Sequence, residues 1–125
     1  MKICLLLVML TASLICLSQS GIELVGSDTP RVFGPGIISD GFSNRDMALS
    51  PDGKDLYYTL QWTYGLFSVI LHSEKINGEW TKPETASFSG RFNDLEPAYS
   101  PDGGKLFFTS NRPLMGSDSV KDYDI

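Results

Sequence analysis

From about residue 45 onward, short apolar runs alternate with clusters of turn-forming residues. Met47–Leu49 precede Ser50-Pro51-Asp52-Gly53, and Leu56–Thr59 follow it. Serine at the first turn position, proline with its pre-set φ at the second, aspartate at the third and glycine where φ must be positive predict a hairpin with a glycine bulge. The next strand-like run, Leu66–His72, leads through Lys75-Ile76 to Asn77-Gly78, the strongest short-range signal for a two-residue hairpin turn. The return strand is Glu79–Lys82, ending at Pro83, which has no N–H for a sheet ladder. Four antiparallel strands in sequence order are thus predicted between about Asp46 and Thr85. Nothing after residue 20 keeps apolar spacing at i, i+3, i+4 and i+7, so helical repeats are excluded and the predicted class is all-β.

The pattern then restarts. Asp46–Thr59 recurs as Glu96–Thr109 at an offset of 50 residues up to the glycine, with Ser100-Pro101-Asp102-Gly103 as the second turn. Four-stranded antiparallel units recurring every 40 to 50 residues or so are the signature of β-propeller blades. The segment Glu96-Pro97-Ala98-Tyr99-Ser100-Pro101-Asp102-Gly103-Gly104-Lys105-Leu106-Phe107-Phe108-Thr109-Ser110-Asn111-Arg112-Pro113, read with Gly104 as one extra residue, resembles the WD-like β-propeller repeat of the TolB type. The first copy matches more loosely, with Met47 for proline and Leu60-Gln61-Trp62 for Ser-Asn-Arg, and Asp122-Tyr123-Asp124-Ile125 resembles the opening of a third strand.

The expected organisation is a blade over residues 46–95 and a partial blade over 96–125, about one and a half blades of four antiparallel strands. Residues 21–45, with Phe33-Gly34-Pro35-Gly36-Ile37-Ile38, are offered as a ring-closing strand. Propellers close with typically 4 to 8 blades, so the expectation is a fragment completed by missing C-terminal blades, or a unit completed by self-assembly. The resemblance implies a non-enzymatic protein-interaction or ligand-binding scaffold in the bacterial cell envelope, its partner a protein, a small ligand or a glycan. The alternative it leaves open is the propeller part of an enzyme, either a prolyl-oligopeptidase-like peptidase or a polysaccharide-acting hydrolase or lyase.

The N-terminus changes the compartment. Met1-Lys2, an apolar stretch from Ile3 to Leu17 and the small residues Ser18 and Ser20 form a secretory signal peptide over residues 1–20, too short to span a bilayer. A periplasmic or secreted protein is expected, with no transmembrane segment after the signal is removed. Cys4 and Cys16 both lie in the leader, so the mature chain has no disulfide framework. A lipid anchor at Cys16 is disfavoured because Ile15 stands where lipoprotein processing needs a small residue. The formal net charge is −5, one unit more negative once Lys2 is lost, and no basic cluster offsets it, which argues against a nucleic-acid partner.

Candidate chemistry is sparse. Asp52 and Asp102 read as turn residues, since aspartate before glycine hydrogen-bonds its own backbone. His72 is the only histidine, and without a mature cysteine a zinc site would have to be built mainly from carboxylates, so no metal or cofactor is expected. No Gly-x-Ser-x-Gly elbow offers a nucleophile, and no catalytic residue is assigned. The best polar constellation is Asn93-Asp94-Leu95-Glu96 with Asn111-Arg112. An arginine fork on carboxylates would fix neighbouring blades, or Asp94, Glu96, Asn111 and Arg112 would line a ligand-binding mouth. Trp62, Tyr64 and Trp80 pose the same choice between packing inside the sheet assembly and stacking on a sugar.

Overall fold

Each Ser-Pro-Asp-Gly segment closes a hairpin, as its side chains dictate. The computed structural model describes residues 29–113 and 119–125, so the leader, both cysteines and residues 21–28 lie outside the described residues. In the first turn the Gly53 N–H donates to the Ser50 carbonyl at 2.9 Å and Gly53 takes a φ of +73°. Ser50 Oγ donates to Asp52 Oδ1 at 2.7 Å and accepts the N–H groups of Lys54 and Asp55 at 3.1 and 2.9 Å. The second turn repeats this. Gly103 N donates to the Ser100 carbonyl at 2.9 Å with φ +71°, Ser100 Oγ donates to Asp102 Oδ1 at 2.6 Å, and Lys105 N donates to Ser100 Oγ at 2.9 Å. Ser50 N closes on the Asp55 carbonyl and Ser100 N on that of Lys105. Gly104 therefore occupies the place of Lys54 and is not an insertion. The 50-residue offset holds through the whole hairpin.

The turns join β1 (Ser43–Leu49) to β2 (Asp55–Trp62), and β6 (Asp94–Tyr99) to β7 (Leu106–Ser110). Both hairpins carry a β-bulge at the same step. Arg45 faces Thr59 and Ala48 faces Tyr57, just as Leu95 faces Thr109 and Ala98 faces Phe107, so two residues oppose one in each copy. The first bulge residue is an acid in the left-handed region both times, Asp46 at φ +53° and Glu96 at φ +56°. Pro97 sits inside the second bulge, where a missing N–H breaks no ladder bond.

β2 pairs along its full length with β3 (Phe67–Ile76). Asn77 and Gly78, both at positive φ, turn the chain into β4 (Glu79–Trp80), as the dipeptide predicts. The fourth strand does not end at Pro83. It breaks at Thr81–Pro83 and resumes as β5 (Glu84–Thr85), which pairs with Leu71 and His72 of β3. Thr81 bridges the gap: its N–H donates to the Glu74 carbonyl, its Oγ1 accepts the Glu74 N–H, and its carbonyl accepts Ser73 Oγ–H. The product is an all-β unit of two antiparallel sheets within Arg31–Ile125.

Alternation along β2 and β3 gives the larger sheet two apolar faces. On one, Leu56 and Tyr58 are buried with Ile38, flanked by Leu71 and Trp80. Ile38 arrives on a tight turn in which the Gly34 carbonyl accepts the N–H groups of Ile37, Ile38 and Ser39. Of the segment expected to close a ring, the described residues before Ser43 include this turn, and Ser43–Arg45 open β1. Burying Leu56 or Ile70 completely contributes about 1.5–3 kcal/mol each. The other face, with Thr59, Ile70 and Ser68 buried, receives the β6–β7 hairpin. Glu96 N donates to Thr59 Oγ1 at 3.0 Å and Ile70 N to Ser89 Oγ at 3.0 Å. An aromatic layer fills the join: Tyr57 meets Tyr99 edge-on and Phe88 at 6.0 Å, and Phe88 stacks on Phe108 at 4.8 Å. Burial pushes the Tyr58 and Tyr99 phenols up to about 12.

Candidate functional site

Three of the four residues chosen from sequence as a ligand mouth are engaged in structural contacts. Asp94, at the start of β6, is wholly buried. Its Oδ1 accepts from Ser110 Oγ at 2.6 Å and from Arg112 Nη2 at 2.8 Å, and its Oδ2 accepts from Ser89 Oγ at 2.7 Å. Arg112 also donates from Nη2 to the Phe88 carbonyl and from Nε to Ser110 Oγ, and its guanidinium lies over the Phe108 ring at 4.7 Å. Arg112 therefore meets Asp94 through one nitrogen and not as a two-pronged fork, and the contact is a strut that binds β6, β7 and the 86–89 segment. Asn111 accepts the Asn93 N–H on its side-chain oxygen, while Asn93 reaches across to the Ser68 N–H and the Leu66 carbonyl.

Glu96 stands apart from this group. Its carboxylate is half exposed and lies 3.7 Å from Arg45 Nη2, and Arg45 Nε pairs with Asp46 at 2.6 Å. The two acidic bulge residues thus share one arginine. Asp52 and Asp102 act within their turns, and the serine hydroxyl bonded to each carboxyl holds it below the usual carboxylate value.

The aromatic residues divide in a way the sequence left open. Trp80 packs on the core beside Leu71 and meets Phe33 at a tilt of 54°, with centroids 5.9 Å apart. Trp62 and Tyr64 face solvent at the β2–β3 turn. There Thr63, Tyr64 and Gly65 all take positive φ, at +51°, +53° and +92°. A β-branched threonine in that region is strained, and such strain concentrates at functional turns. Phe42 and Trp62 lean together at 5.5 Å, Leu66 and Phe67 continue the exposed apolar surface, and Tyr64 projects fully into solvent. A cleft of about 470 Å³ opens between Phe42, Trp62 and Tyr64, with Ser43, Gln61 and Thr63 as its uncharged polar groups.

At the opposite end of β2, Asp55 Oδ1 lies 2.9 Å from His72 Nε2, and Glu74 stands close by. In the sequence His72 has no second histidine or mature cysteine to join it, and Asp55 lies 17 positions back on the neighbouring strand. Only the β2–β3 register brings them together. No family model, no curated protein and no solved structure matches this chain.

Proposed function

We propose that the chain forms blades of an exported, TolB-like β-propeller that serves as a non-enzymatic scaffold in the bacterial cell envelope and holds a protein partner or a glycan at the β2–β3 tip. The observation that carries the reading is that tip: a strained turn presenting Trp62 and Tyr64 to solvent around an uncharged polar cleft. Aromatic faces beside neutral hydrogen-bonding groups suit a sugar ring or an aromatic-rich protein surface. The repeated bulged hairpin supports the propeller part of the proposal, because repeat architectures stack one supersecondary unit on the next through a shared face.

A photo-crosslinking residue at position 64 of the full chain, together with tryptophan-fluorescence titration against neutral oligosaccharides, tests it. A discrete protein adduct or a saturable fluorescence change is expected, and Trp62→Ala should abolish it without moving Tm. Neither signal, or a signal indifferent to Trp62→Ala, would overturn the assignment.

A further inference from the structure

The end of the sheet remote from the aromatic tip gathers a histidine and three carboxylates, of which Asp55 and His72 already touch. Asp55 lies directly opposite Glu74 across β2 and β3, and His72 lies opposite Tyr57 on one side and Glu84 of β5 on the other. Opposed residues, and residues two apart on a strand, project from the same face. Asp55, His72, Glu74 and Glu84 therefore share one face. One ligand atom from each of Asp55, His72 and Glu74 falls within 4.8 Å of the others. Beside them is a cleft of about 300 Å³ whose lining includes Glu84, Thr81 and Lys82.

We propose that Asp55, His72 and Glu74 form a binding site for a divalent transition cation of the zinc type, with Glu84 as a third carboxylate lining the adjoining cleft. Three arguments support it. Like charges placed directly opposite on paired strands repel, so the Asp55–Glu74 pair leaves a negative charge that a cation relieves. Among the described residues neither Glu74 nor Glu84 makes an ion pair, and Lys82 makes none with the three carboxylates. The spacing also fits. Zinc bonds of about 2.0–2.2 Å to nitrogen and oxygen set ligand atoms about 3.3–3.6 Å apart in a tetrahedron, so an ion entering beside His72 Nε2 and Asp55 Oδ1, 2.9 Å apart, with a Glu74 oxygen within 4.8 Å, requires only side-chain shifts.

The imidazole is also held in place. The Tyr57 ring stacks on it at 4.4 Å and 21° between planes, which limits the rotamers His72 must give up on binding. A mixed imidazole and carboxylate set selects for zinc-like ions over calcium or magnesium, which favour oxygen alone. The ion would pin β2 to β3 beside the first Ser-Pro-Asp-Gly turn.

The test is calorimetric titration of the full chain with Zn²⁺ alone, with the thiols of Cys4 and Cys16 alkylated, and Tm recorded with and without the metal. One equivalent should bind and raise Tm. His72→Ala and Glu74→Gln should each weaken binding roughly tenfold or more, a loss seen even for residues behind the ligands. Glu79→Gln, on β4 and outside the cluster, should change nothing. If His72→Ala fails to fold by circular dichroism, Glu74→Gln and Asp55→Asn decide the question. The proposal fails if no saturable binding occurs at one equivalent, or if binding and the Tm rise survive these substitutions unchanged.

Discussion

Two glycines with the same backbone angle have different surroundings. Gly53 and Gly103 both end a Ser-Pro-Asp-Gly turn at φ near +70°, where an L side chain is strained by about 1–2 kcal/mol. A Cβ on Gly53 would meet nothing within 4 Å, whereas one on Gly103 would fall 3.0 Å from Pro51 Cδ, in the turn of the other hairpin. Gly53→Ala should therefore lose only the conformational term, about 1–2 kcal/mol. Gly103→Ala should lose more, because the Pro51 ring must also shift. Denaturant unfolding of the two variants gives the comparison, and equal losses would show that the turns do not touch as described.

At the scale of elements, the Asp94–Arg112 strut ties the β6–β7 hairpin to the 86–89 segment that follows β5. Arg112→Ala leaves a wholly buried carboxylate with only two hydroxyl donors, a loss of about 3–5 kcal/mol for a broken buried pair. The Arg112 side chain is 38% exposed, so the lower end of that range is expected. In a double-mutant cycle Asp94→Ala combined with Arg112→Ala should cost less than the sum of the single changes, and additivity would argue against a coupled pair. Much of this level was legible in the sequence. Ser-Pro-Asp-Gly and Asn-Gly specify their turns from within four residues, and aspartate with a nearby arginine announces a polar junction. What was not legible depends on pairing between strands. The bulges at Asp46 and Glu96 exist only against β2 and β7. The break at Thr81 is bridged by hydrogen bonds to Ser73 and Glu74, and the Asp55–His72–Glu74 group needs the β2–β3 register. Trp62 and Trp80 are chemically alike and the register puts both on the Leu56–Tyr58 face; position along the sheet separates them, Trp62 at the exposed tip and Trp80 beside Leu71 and Phe33.

For the molecule as a whole, stability should be limited at both ends of the pH scale. The carboxyls of Asp52, Asp102 and Asp124 are lowered in the folded state, the first two chiefly by a serine hydroxyl and the third by Lys121. Their contribution is present above the ordinary value of 3.8 and is lost as pH falls through the lower folded value. Tyr58 and Tyr99 are raised from 10.0 to about 12 by burial, so their contribution holds below pH 10 and fades as pH rises toward 12. Tm measured across pH should show a plateau between the two limbs. Asp52→Asn with Asp102→Asn should flatten the acid limb alone, and an acid limb unaltered by both would mean that other groups control it.

The seating of Gly103 on Pro51 has a bearing on how such a chain grows. The 50-residue unit carries both halves of its own joint, a proline ring that receives the next glycine and a glycine small enough to lie on the previous proline. A further copy of the same 50 residues would present Pro101 to its own glycine in the way Pro51 meets Gly103. A one-residue insertion in the turn, by contrast, would spoil the joint with the neighbouring unit.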